Sequence, residues 1–212
     1  MIVLGLTGSI GMGKSTAAAT LRLLGVPVFD ADAEVHRLLA TGGAAVAPVE
    51  AAFSGVRAAA GGIDRQRLGQ RVFRDRAALR RLEAILHPLV RAAERRFVAC
   101  ARARRERLAV LDIPLLFETG GGVRCDYVVV VSAPARLQRE RVMRRPGMSA
   151  ARFAGILAAQ MPDREKRRRA DFVVWTALGR DESFRKLRAI VRQLRAGEAP
   201  RRKRGTKRCA RS

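Results

Sequence analysis

The sequence has 212 residues, 48% of them hydrophobic, and a formal net charge of +24, which together fit one globular domain with a sizeable core. That hydrophobic content excludes a disordered chain, and no apolar run approaches the roughly 20 residues that cross a bilayer. The opening Met1-Ile2-Val3-Leu4-Gly5-Leu6 has no basic leader or cleavage site, so a cytoplasmic protein is expected.

In chain order, Ile2 to Thr7 predicts a strand that ends at a glycine cluster, and Ala17 to Leu24 carries a helical pattern. Between them Gly8-Ser9-Ile10-Gly11-Met12-Gly13-Lys14-Ser15 matches G-x-x-x-x-G-K-[ST], the phosphate-cradling loop. Glycines let backbone N–H groups turn inward around phosphate oxygens, and the helix that follows adds partial positive charge. Gly8, Gly11, Met12, Gly13, Lys14, Ser15 and Thr16 are therefore the expected nucleotide contacts. Lys14 is expected on the β- and γ-phosphates of ATP, and Ser15 on Mg²⁺ through its hydroxyl. The common GTPases are excluded, because their guanine-reading N-K-x-D motif needs an Asn and the sequence contains none.

Val26-Pro27-Val28-Phe29 predicts a second strand, at a sheet edge because of its proline, closing at Asp30-Ala31-Asp32. An extended chain would point both carboxylates the same way, towards the nucleotide edge, where Asp32 is the candidate general base and Asp30 a weaker one. The plainer alternative is that one of them caps the helix that follows. Runs at Leu108 to Leu111, Tyr127 to Val131 and Phe172 to Trp175 are continuous and β-branched-rich, as in strands buried on both faces. Five parallel strands alternating with helical segments predict a doubly wound α/β sheet.

Asp112, at the end of the third strand, is placed to reach Mg²⁺. His87-Pro88 is expected to break the helix carrying Leu82, Ile85 and Leu86, since a residue before proline avoids helical geometry. The segment after the fourth strand carries Arg136, Arg139, Arg141, Arg144 and Arg145; a guanidinium from it would stabilise charge on a transferring phosphoryl group.

Together Asp30-Ala31-Asp32, Leu86-His87-Pro88, the run Asp112 to Glu118, and Gln160-Met161-Pro162 leading to Ala170-Asp171-Phe172 resemble the dephospho-coenzyme A kinases. The resemblance reaches to about Arg195. It implies transfer of the ATP γ-phosphate to the ribose 3′-hydroxyl of dephospho-coenzyme A, the last step of coenzyme A synthesis. By position Asp32 resembles the family's catalytic base and Arg141 its lid arginine, while His87, Leu116 and Glu118 fall where the family lines its acceptor pocket. After Ala170-Asp171 this chain has Trp175-Thr176 where the family commonly places Asp or Asn beside the adenine.

The expected organisation is a P-loop kinase domain over 1–197, with a core of about 1–35, 88–134 and 170–197. A helical acceptor-binding insertion would cover about 36–87 and a helical lid about 135–169. Residues 198–212 read as a basic disordered tail that binds polyanions weakly at most, with seven cations in the last 13 residues. Cys100, Cys125 and Cys209 are too scattered for a disulfide framework or a zinc site. Two rivals stand: another P-loop kinase of a small hydroxyl or nucleoside monophosphate, and a nucleic-acid-binding P-loop ATPase suggested by the charge. Against the second, one Trp and one Tyr give no stripe for stacking bases, and no specific nucleic acid is expected.

Overall fold

The computed structural model describes residues 1–72 and 75–198. The tail expectation, and Cys209 with it, falls almost wholly outside the described residues. Two compact units divide the chain, one made of residues 1–29 and 100–212 and the other of residues 30–99.

The first unit is built on the parallel sheet the sequence predicts. Strands β1 (Ile2–Thr7), β2 (Val28–Asp30), β3 (Leu108–Asp112), β4 (Tyr127–Ser132) and β5 (Phe172–Trp175) lie in the order β2-β3-β1-β4-β5. The central strand β1 pairs Leu4 with Val110 on one side and with Tyr127 on the other. Pro27, which has no N–H to give, sits just ahead of the edge strand, where its carbonyl accepts from Val110 at 2.9 Å.

Alternate strand residues Leu4, Leu6, Leu108, Val110, Val129, Val131 and Val174 form one buried face. Helices α1 (Lys14–Leu23) and α9 (Arg180–Arg195) close it with Ala17, Ala18 and Leu21, and with Leu187, Ile190, Val191 and Leu194. The opposite face is buried too: a Cβ added at Gly5 would lie 2.8 Å from both Cys125 Sγ and Leu116 Cδ2. At the strand starts, Asp126 accepts from the N–H of Val3 at 2.9 Å and Asp171 from that of Val128 at 2.8 Å. Asp171 is thereby a device of sheet register.

Three further helices belong to this unit: α6 (Ala135–Met143), α7 (Ala150–Ala158) and α8 (Asp163–Arg169). Ser149 starts α7 by accepting from the N–H of Arg152.

The second unit holds α2 (Ala31–Leu39), α3 (Val46–Ala52), α4 (Arg65–Val72) and most of α5 (Arg76–Ala103). Their apolar residues, among them Leu38, Val49, Phe53, Leu68, Leu82 and Leu86, form a separate core. The Ala-rich stretch between α3 and α4 turns back through an antiparallel bridge between Arg57 and Ile63.

Two local expectations are corrected. Asp30 and Asp32 do not share an extended strand end: Asp30 caps α2, its Oδ1 accepting from Ala33 N–H at 3.0 Å, and Asp32 is already in the helix's first turn. Asp readily satisfies an orphan helix donor, and that favours the helical over the extended alternative. Nor does His87-Pro88 break a helix, because α5 runs for 28 residues with Pro88 inside it. Ile85 and Leu86 before the proline and Leu89 and Val90 after it pack into the same core, so burial on both sides outweighs the one hydrogen bond that proline forfeits.

Candidate active site

The phosphate loop leaves the carboxyl end of β1 and enters α1, the place where an open α/β sheet binds its ligands. Its glycines are required by geometry. Gly13, the residue before α1, has φ of 88°, and a Cβ on Gly8 would lie 2.5 Å from Val131 Cγ2 and 2.8 Å from the Val131 carbonyl oxygen. Met12 buries its side chain in the core, where its sulfur accepts from the N–H of Ala133 at 3.0 Å, and its own N–H donates to the Ser9 carbonyl at 3.1 Å, so the expected Met12 contact to nucleotide is not offered by this conformation. Ser15 and Thr16 are exposed on the first turn of α1, which carries no acidic residue to compete with an anion.

Lys14 reaches across the sheet to Asp112, with Nζ and Oδ1 2.8 Å apart. Asp112 is 2% exposed at the end of β3, as the strand reading of Leu108 to Leu111 requires. Thr7, at the end of β1, donates to the carbonyl of Pro114 at 2.9 Å and holds the segment after β3 alongside.

Arg141 lies in the last turn of α6. Its guanidinium donates to Thr176 Oγ1 at 2.9 Å, to the Thr176 carbonyl at 2.8 Å and, at the long distance of 3.5 Å, to the Gly11 carbonyl. The arginine expected to meet phosphate is therefore docked against the loop. Of the residues expected on the acceptor side, Leu116 is wholly buried, packed behind β1, and in this structure serves the core. Leu115, its neighbour, is the exposed one.

Glu118 Oε1 accepts from the N–H of Met161 at 2.8 Å and stands 2.8 Å from Nζ of Lys166, a side chain with no exposure at all. The Lys166 contact is an ion pair with a fully buried ammonium. Burial works to raise the Glu118 pKa, but the Lys166 ammonium, the residue's own N–H and that of Met161 outweigh it and hold the carboxyl below its ordinary value.

Asp32 and His87 belong to the helical unit, and both are exposed, Asp32 on the first turn of α2 and His87 on α5. Among the described residues there is no cluster of three or more His, Cys, Asp or Glu that would hold a metal by itself. No helix among them is long and apolar enough to cross a membrane. Cys125 is buried and Cys100 exposed, and neither forms a disulfide.

Sequence reasoning missed Gln138, Lys166 and the part played by Thr176. Lys166 had one signal, being a lysine where 38 of 43 cations are arginine. Gln138 gave none, since a glutamine in a polar helix ordinarily faces solvent.

A parallel five-stranded sheet flanked by helices, whose first strand passes through this loop into a helix, is the architecture of the P-loop kinases. A crystal structure from Thermus thermophilus matches it with a TM-score of 0.77 at 38% identity, covering 91% of this chain and 97% of the other. The chain belongs to the dephospho-CoA kinase family, whose model matches residues 2–179. The dephospho-CoA kinase of Paramagnetospirillum magneticum is 67% identical over 79% of this chain and 78% of its own length. That of Rhodospirillum rubrum is 58% identical over 92% of this chain and 93% of its own.

Proposed function

We propose that this protein transfers the γ-phosphoryl group of ATP to the ribose 3′-hydroxyl of dephospho-coenzyme A, giving coenzyme A and ADP. The observation that carries the reading is the loop Gly8 to Ser15 between β1 and α1 in a chain of this family. Backbone N–H groups of Gly11 and of Gly13 to Thr16, with the positive end of α1, receive the phosphates, and Lys14 neutralises the β- and γ-oxygens. Asp32 takes the proton of the acceptor hydroxyl as its oxygen bonds to the γ-phosphorus. The bond from that phosphorus to the bridging oxygen breaks, and ADP carries the electron pair away. Arg141 stabilises the charge that spreads over the equatorial oxygens.

Mg²⁺ suits the donors present. The exposed Ser15 hydroxyl and the Asp112 carboxylate are hard oxygen ligands, and Mg²⁺ keeps several waters and takes the rest from phosphate. When bound, the ion would neutralise charge between the β- and γ-phosphates. Lys14, already paired with Asp112, holds that carboxylate in place meanwhile.

Residues 36–87 are assigned to acceptor binding, with His87 as a contact, and residues 135–169 to a lid. Glu118 also belongs to the acceptor side through its position after β3, while Leu116 supports that wall from within the core. The enzyme is assigned to the cytoplasm, and its partners are its two substrates, with no specific nucleic acid. ADP release measured with dephospho-coenzyme A, AMP, CMP and shikimate as acceptors tests the assignment. Strong preference for dephospho-coenzyme A is expected, and turnover no better than with AMP would discard it.

A further inference from the structure

A phosphate loop that turns its N–H groups inward must turn its carbonyls outward, and each of those needs a partner if it is not to swing back. Here three consecutive carbonyls meet side-chain donors from other elements. Gln138 Nε2 donates to the Ile10 carbonyl at 2.8 Å, Arg141 to that of Gly11 at 3.5 Å, and Thr176 Oγ1 to that of Met12 at 3.0 Å. The Ile10 N–H is taken as well, by Gln160 Oε1 at 3.1 Å. We infer that Gln138, Gln160 and Thr176 are positioning residues that clamp the outer side of the phosphate loop and set its anion-receiving shape before nucleotide arrives.

The contacts are close enough for this. A Cβ added at Gly11 would lie 3.0 Å from the Gln138 carbonyl oxygen, and one at Gly13 3.2 Å from Thr176 Cγ2, so the clamp lies flush against the glycines. Gln138 is 5% exposed, and replacing its amide strands the Ile10 carbonyl. Thr176 Oγ1 receives a hydrogen bond from Arg141 at 2.9 Å and has one proton to give. Met12 O at 3.0 Å is the nearer of its two acceptors, Ser132 O being at 3.4 Å. Its backbone N–H donates to the Ser132 carbonyl at 2.9 Å, which fixes the residue to the end of β4. Thr176 therefore acts through the loop and the docked arginine, not by reading the base.

This inference rests on the loop being a phosphate cradle, and a ligand without a base separates the two ideas. Binding of tripolyphosphate and of ATP, each with Mg²⁺, is measured by calorimetry on the full chain and on Thr176→Val, Thr176→Ser and Gln138→Met. Urea midpoints are recorded for all of them. Thr176→Val and Gln138→Met are each expected to weaken both ligands by the same factor, about five- to tenfold, as for one hydrogen bond lost. Thr176→Ser, which keeps the hydroxyl, should stay within about twofold of the parent chain, and KM for dephospho-coenzyme A should not move. Should Thr176→Val fail to fold, Gln138→Met, close in volume to the parent, decides the matter. Unchanged tripolyphosphate affinity in folded variants overturns the clamp, whether ATP binding is also unchanged or falls alone. Failure of the parent chain to bind tripolyphosphate overturns the cradle itself, and the clamp with it.

Discussion

The ammonium of Lys14 and the carboxylate of Asp112 meet at 2.8 Å where α1 begins and β3 ends. The lysine proposed to meet phosphate is thus already extended over the sheet edge. Asp112 is 2% exposed, so taking away this cation removes the opposite charge 2.8 Å from a buried carboxylate, at a cost of about 3 kcal/mol. Lys14→Ala should lower the urea midpoint and raise KM for ATP together. A midpoint equal to the parent's would show that the pair contributes nothing to the folded state.

Asp32 stands exposed on the first turn of α2, while Asp30 is spent on capping that helix. Asp32→Asn is expected to lower kcat by about a hundredfold to ten-thousandfold, the usual worth of a general base, with ATP affinity nearly intact. Asp30→Asn, which keeps a capping oxygen, should leave kcat within a fewfold of the parent. Steady-state kinetics on both variants checks the assignment, and equal turnover by Asp32→Asn removes the base.

Folding lowers the pKa of Glu118 from its ordinary 4.5. Its contribution to stability is therefore complete above about pH 4.5 and is lost as pH falls through the lower folded value. Unfolding midpoints of the parent chain should decline through that acid range. In Glu118→Gln the part of the decline due to this group disappears, and the midpoint at neutral pH falls because Lys166 remains buried without its counter-charge. Parallel pH profiles of the two proteins would contradict this.

Pro88 is exposed inside α5, so the helix lacks the bond its N–H would make to the Ala84 carbonyl. Pro88→Ala should restore it and raise the thermal midpoint, by an amount corresponding to about 1–3 kcal/mol. A lower midpoint would mean that the proline's restriction of the unfolded chain outweighs the missing bond.

Where a periodic pattern or a fixed spacing carries the information, the sequence was sufficient. Five apolar runs became five parallel strands, Pro27 marked the edge, and the loop Gly8 to Ser15 joined β1 to α1. Two failures arose where a local rule met a competing one. The Asp30 side chain found a helix donor, which turned the chain into α2 at Ala31 and put Asp32 in a helix rather than at an extended strand end. Pro88 was carried by apolar packing before and after it, which a rule about neighbouring residues cannot register. The clamp of Gln138, Gln160 and Thr176 was invisible for another reason. Its members lie between 128 and 164 positions from the loop carbonyl or N–H they meet, and nothing local constrains such pairs.

Met12 joins two roles that are usually assigned to different residues. Its carbonyl is held by Thr176 at the rim of the loop, and its sulfur is buried, accepting from Ala133 at the end of β4. The nucleotide-handling loop is anchored in the core by one of its own side chains, so affinity and packing cannot be adjusted separately at this point. An engineer who repacks the surroundings of Met12 for heat resistance will meet the result in ATP binding, and one who selects for tighter binding will be selecting on the core.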